Sequence, residues 1–215
     1  LGDALSGMVE SFSFTSLAEK ILSVEGGAAV QTLSDAGRAV LVRRALEELQ
    51  ENVHYYYRNR RSAAFCQMAA ETIDELKSAG LSGQQLSGKL GELALIFQGY
   101  ETLLARSGMD PADRLELAGA RLEEALACGA VPGFLKEREV FIDEFDTFNA
   151  PKKRLLGALL AALPRVTVAL CDDGAPLVPG DVSLFSGAKQ VAVQLRQLAR
   201  KNGAEVAAPQ LLRRD

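Results

Sequence analysis

The sharpest chemical pattern in the chain is Val140-Phe141-Ile142-Asp143-Glu144-Phe145-Asp146, a short apolar run that ends in acid. Residues 139–143 are rich in strand formers, and open parallel sheets bind their ligands just beyond the carboxyl ends of the strands. Standing there, Asp143 has the chemistry to hold a magnesium ion that bridges nucleotide phosphates. Glu144 has the chemistry to orient or deprotonate an attacking water, as in the Walker B arrangement of nucleotide hydrolases. The bland alternative is an acidic turn that merely ends a strand. A complete nucleotide site also needs the phosphate-cradling loop Gly-x-x-x-x-Gly-Lys-Ser/Thr. The nearest approach, Gly83 to Lys89, has Leu90 in place of the hydroxyl and follows no strand. Without that loop the isolated chain is expected to be inactive, with no cofactor bound to it.

A second pattern is His54-Tyr55-Tyr56-Tyr57-Arg58-Asn59-Arg60-Arg61. Nucleic-acid bases stack on aromatic faces while arginines neutralise phosphates, so Tyr55, Tyr56, Tyr57, Arg58, Arg60 and Arg61 are candidate DNA contacts. The competing reading packs the tyrosines between helices and leaves the arginines solvated at a helix end. Lys152, Lys153 and Arg154 are further candidates for a phosphate backbone. Positive charge at a helix start opposes the helix dipole, which favours a functional reason for it. Asp172-Asp173-Gly174 reads as a plain turn, and His54 has no ligand partners near it in sequence.

The elements that would position these residues follow from periodicity. Ser11 to Ser16 offers hydroxyl caps for a helix with Leu17 and Ile21 on its inner face, ended by Gly26-Gly27. Residues 34–128 carry four amphipathic stripes. They are Ala39-Val42-Leu46-Leu49 after Ser34-Asp35; Phe65, Met68 or Ala69, Ile73 and Leu76, stopping at Gly80; Leu90-Leu93-Phe97-Tyr100-Leu104, in a helix from about Gln84; and Leu115-Ala118-Leu122-Ala125, capped by Asp110 before Pro111. Four such helices bury their stripes against one another. Beyond Pro132-Gly133 the pattern changes to a strand at 139–143, a helix at 151–163, a strand at 165–170 and a helix at 188–201. Residues 204–207 read as the start of a third strand. Strand–helix alternation is the signature of a parallel sheet with crossover helices.

Bulk properties narrow the class. The chain has 215 residues, 48% hydrophobic and 24% charged, with a net charge of −4, which opposes a protein that coats nucleic acid over its whole surface. Cys66, Cys128 and Cys171 are far apart and odd in number, so they read as reduced, buried thiols of a cytoplasmic protein and not as a zinc or disulfide set. No apolar run approaches the roughly 20 residues that cross a bilayer, and Leu1-Gly2-Asp3 lacks a signal-peptide pattern. Starting without methionine, the chain is expected to be a piece of a longer protein.

The order of several strings resembles the AddB (RexB) family, the second subunit of AddAB helicase–nucleases of superfamily I descent. The strings are Ser13-Phe14-Thr15-Ser16-Leu17-Ala18-Glu19-Lys20-Ile21-Leu22, Ile73-Asp74-Glu75-Leu76-Lys77, the run from Lys89 to Tyr100, the run from Phe141 to Phe148, and Leu184-Phe185. The resemblance implies an α/β fold, mostly helical overall. A partial RecA-like parallel sheet would be made by residues 1–30 and 135–215, with a helical insertion subdomain at 31–134. It implies that Asp143 and Glu144 stand at helicase motif II, where many family members have Gly in place of Glu144. It further implies DNA and an AddA-like subunit as partners, and repair of double-strand breaks as the role. ATP and magnesium would serve the parent protein, whose P-loop lies upstream and whose iron–sulfur cysteines lie downstream. A truncated, catalytically active UvrD-like helicase and a non-enzymatic helical interaction module are the competing readings.

Overall fold

The computed structural model describes residues 9–27, 29–143 and 145–212, the side chain of Lys89 excepted. The fold is mostly helical with a small parallel β-pair. Packing divides the chain into two compact units, Leu1–Ala118 and Gly119–Asp215.

In the first unit, helix α1 (Phe14–Glu25) starts at a reciprocal cap. Ser13 Oγ accepts the Ser16 amide at 3.1 Å, and Ser16 Oγ accepts the Ser13 amide at 2.8 Å. Its inner face is Phe14, Ala18, Ile21 and Leu22; Leu17, expected on that face, is only half-buried at its margin. Helices α2 (Asp35–Glu48) and α3 (Ala63–Ser78) are capped by Ser34 and Ser62, whose hydroxyls accept the amides of Gly37 and Phe65, each at 3.2 Å. On α3 Met68 is 56% exposed, and Ala69 fills the inward position instead.

Helix α4 (Gly91–Ser107) begins later than the expected start near Gln84. Two single 3-10 turns, Gly83–Gln85 and Gly88–Leu90, come before it. Gly88 has φ +65°, a left-handed conformation that interrupts any α-helix running through it. Helix α5 (Pro111–Ala127) starts at its proline, whose missing N–H is no loss in a first turn. The core of this unit gathers Val42 and Leu46 from α2, Cys66 and Ile73 from α3, and Ile96, Phe97, Tyr100 and Leu104 from α4.

In the second unit, strands β1 (Glu139–Ile142) and β2 (Arg165–Val168) pair in parallel, with Val140 opposite Val166 and Ile142 opposite Val168. Helix α6 (Ala150–Ala162) makes the crossover between them. Asn149 caps it by accepting the Lys152 amide at 3.1 Å, Pro151 sits in its first turn, and Leu155, Leu156 and Leu159 are buried. Helix α7 (Ser186–Lys201) follows and ends before Gly203, at φ +74°. Residues 204–207, expected to begin a third strand, pair with no strand among the described residues. Phe141 on β1 is 72% exposed, unusual in a parallel sheet, which normally has both faces covered.

All three cysteines are free, but only Cys66 is buried. Cys128 follows the last residue of α5 and Cys171 lies in the loop beyond β2, so both are exposed and the expectation of three buried thiols is corrected. Among the described residues no helix is long and apolar enough to cross a membrane.

Candidate nucleic-acid interface and strand-end acid

The Tyr55–Arg61 segment is not part of a long helix. Tyr56–Asn59 forms one 3-10 turn between α2 and α3, and a carboxylate from α4 fixes its entrance. Glu92 Oε1 accepts the amides of His54 and Tyr55, each at 3.1 Å, while Oε2 accepts those of Tyr55 at 3.0 Å and Tyr56 at 3.1 Å. Partial desolvation works to raise the Glu92 pKa. The amides of Tyr55, Tyr56 and His54 together outweigh it, so the carboxyl titrates below its usual range. Sequence reading missed Glu92, since it lies 37 residues from Tyr55 and only the fold brings the two together.

The three tyrosines differ in what they leave open. Tyr56 is half-buried and stacks on Phe65, with ring centroids 5.7 Å apart. Tyr57 is half-buried, carries the Arg60 guanidinium 3.9 Å from its ring centroid and donates its hydroxyl to Gln50 Oε1 at 3.2 Å. Tyr55 is 74% exposed and stands perpendicular to Tyr56 at 5.1 Å. Arg60 also donates to the Tyr57 carbonyl at 3.1 Å. Arg58 and Arg61 are exposed and form no ion pair among the described residues. His54 is exposed, its backbone tied to Glu92.

In the second unit Asp143 is exposed, directly after the last residue of β1, where the Ile142 carbonyl accepts the Ala169 amide at 2.9 Å. Glu144 lies outside the described residues. Lys152 and Lys153 are half-buried in the first turn of α6, Lys152 with its ammonium 5.4 Å from the Phe145 ring centroid. Arg154 pairs with Glu123 at 2.7 Å. Asp172 and Asp173 each accept a backbone amide two residues on, from Gly174 at 3.1 Å and Ala175 at 2.9 Å, as turn-forming aspartates do.

Among the described residues no group of three or more His, Cys, Asp or Glu is placed to hold a metal ion. One exposed carboxylate at a strand end, with no phosphate loop in the sequence, does not make up a magnesium–nucleotide site.

A dense polar cluster among the described residues lies elsewhere; of its members the sequence reading singled out Asp110 as a cap, Tyr100 on a helix stripe, and Asp74 and Lys77 only within a family-like string. Asp110, 1% exposed, accepts the Tyr100 hydroxyl at 2.6 Å and the Lys77 ammonium at 3.0 Å. Lys77 also donates to Asp113 at 2.7 Å. Burial alone would lower the Lys77 pKa, but hydrogen bonds and charge from Asp113 and Asp110 hold it above the ordinary lysine range. Burial, with the Asp110 hydrogen bond and charge, keeps Tyr100 protonated far beyond a free tyrosine. Arg38, 8% exposed, donates to Asp35 at 2.8 Å and lies 3.2 Å from Asp74 at an angle too poor for a hydrogen bond. The available signal was charge on an apolar stripe: Arg38 lies one turn before Val42, and Lys77 one turn after Ile73. This cluster joins four helices and is a structural device.

The described residues thus form two compact units, a helical one that carries an exposed aromatic–basic turn and one that carries a parallel strand pair ending in acid. Residues 3–215 match the family model described as ADDB, N-terminal, and the chain belongs to that family. Among similar proteins is the B-type subunit of the ATP-dependent helicase/deoxyribonuclease from Desulforudis audaxviator, 31% identical over 97% of this chain. The protein of the same name from Moorella thermoacetica is 30% identical over 92% of the chain, and that from Clostridium perfringens 27% over 90%. The chain spans 19%, 18% and 17% of these three relatives, under a fifth of each. Family membership decides for the AddB-like resemblance over the UvrD-like one.

Proposed function

We propose that the chain is part of an AddB-like subunit of a bacterial ATP-dependent helicase–nuclease that processes double-strand breaks for recombinational repair. Its contribution is DNA-contacting surface on the Tyr55–Arg61 turn and a motif II-like strand end at Asp143, with Glu144 next in sequence. Residues 1–30 and 135–215 belong to a RecA-like motor domain in this reading, and 31–134 to its helical insertion. An AddA-like subunit is the protein partner. ATP and magnesium serve the parent protein, and an iron–sulfur cluster belongs to parts of it outside these residues.

Family membership supports the assembly and the role. The observation that carries the DNA contact is the exposure of Arg58 and Arg61 on the same short turn as an exposed tyrosine. Phosphate contacts release counterions, so their loss flattens the salt dependence of binding. The test is fluorescence anisotropy of labelled oligo-dT with the 215-residue chain across a salt series. Replacing Arg58 and Arg61 by Ala weakens binding and lowers the slope of log K against log salt by about 1.4, two single-strand contacts' worth. Unchanged affinity and slope would remove this turn from the DNA path.

A further inference from the structure

We infer that Tyr55 is the one ring of the aromatic triplet that accepts a nucleobase, and that the ligand is therefore an unpaired base of single-stranded DNA. This rests on the proposed DNA contact and narrows it from six residues to a stacking ring with two phosphate-facing arginines.

The argument is one of occupancy. A stacking platform needs an open π-face of roughly base size. Tyr56 gives a face to Phe65, and Tyr57 gives one to the Arg60 guanidinium, while both rings are half-buried. Their hydrophobic and cation–π contacts serve the protein itself. Arg60, on the Tyr57 ring and bonded to the Tyr57 carbonyl, is held inward as well. Tyr55 meets Tyr56 at an interplanar angle of 87° and keeps 74% of its surface in solvent, which leaves it a free face. The backbone that carries this exposed ring is held in place.

Glu92 does the holding. Its carboxylate takes the amides of His54, Tyr55 and Tyr56, so the backbone that bears the ring is pinned at three consecutive residues. Glu92 is thus a positioning residue for Tyr55. Bases in an intact duplex are stacked on their own neighbours and cannot lie on Tyr55. The pairing of one open ring with exposed Arg58 and Arg61 fits a single strand, or a frayed end, with one base turned onto the ring.

The test uses the 215-residue chain, oligo-dT with one 2-aminopurine, and a hairpin-closed duplex of similar length. Stacking on the wild-type ring changes 2-aminopurine emission. Tyr55→Phe keeps that change, and Tyr55→Ala abolishes it, weakening oligo-dT binding about 5- to 150-fold with an unaltered salt slope. Duplex affinity moves less than about twofold, since stacking is unavailable there. Tyr56→Leu, which removes a packed ring, leaves the 2-aminopurine signal in place if circular dichroism is native. If Tyr55→Ala binds and quenches like wild type while the arginine variants lose affinity, the DNA contact stands and the stacking assignment is overturned. Equal loss on duplex and single strand overturns it too. Wild-type chain that binds neither DNA at low salt defeats the contact reading itself, and the assignment with it.

Discussion

Asp110 collects on one carboxylate a tyrosine hydroxyl and a lysine ammonium, both taken out of water. Removing one partner of a buried ion pair leaves the other charge desolvated, at a cost of about 3–5 kcal/mol. Asp113 still reaches Lys77 at 2.7 Å, which places Asp110→Ala near the lower end. Urea unfolding of that variant is expected to show a loss of about 3 kcal/mol; a loss under about 1 kcal/mol would mean the cluster contributes little. The pH dependence has a definite sign. Lys77 and Tyr100 both titrate above their unfolded values near 10, so their contributions are complete below that pH. They are lost as the pH climbs above the unfolded values toward the folded ones. Stability therefore falls on the alkaline side above about pH 10, and Asp110→Ala flattens that limb.

The elements were legible to different depths. Serine caps, the Pro111 start and the 3.6-residue stripes are local signals, and the helices over 35–48, 63–78 and 111–127 followed from them. The start of α4 was not, because a continuous Leu90–Phe97–Tyr100 stripe hides the left-handed Gly88. Two glycines near that start make opposite predictions. A Cβ on Gly83 would lie 2.8 Å from Gln98 Cγ and 3.0 Å from the Ala94 carbonyl oxygen, so the 3-10 turn must pull off α4. Gly83→Ala is expected to cost about 1–3 kcal/mol. Gly91, first residue of α4, has open space around its Cβ position and a helical φ of −57°. Gly91→Ala is expected to stabilise by about 0.4–1 kcal/mol through the unfolded chain. Thermal melts of the pair check both, and the same sign for the two would contradict the packing described.

At the scale of the whole molecule, the parallel pair was foreseen from two apolar runs with a helix between them. The third strand was not realised among the described residues, because a strand exists only beside a neighbour, and sequence cannot supply one. The candidate sites divide in the same way. Tyr55 and its arginines announced themselves by composition, whereas Glu92 and the Lys77 cluster depend on contacts 33 to 38 residues long. A strand-end acid without a phosphate loop leads to one more expectation. Calorimetry of the 215-residue chain with magnesium–ATP is expected to give no binding heat. Tight binding would require a nucleotide site built from residues other than those described.

The Lys77–Asp110 bond also sets an order of events during synthesis. Asp110 is made 33 residues after Lys77, which at about 5–20 residues per second is a delay of about 2–7 s. Helix α4 ends at Ser107, three residues before Asp110, so the last of the three core helices and the acceptor of its Tyr100 hydroxyl are made almost together. Lys77 alone waits out the whole interval, with water as the partner of its ammonium until Asp110 and Asp113 follow.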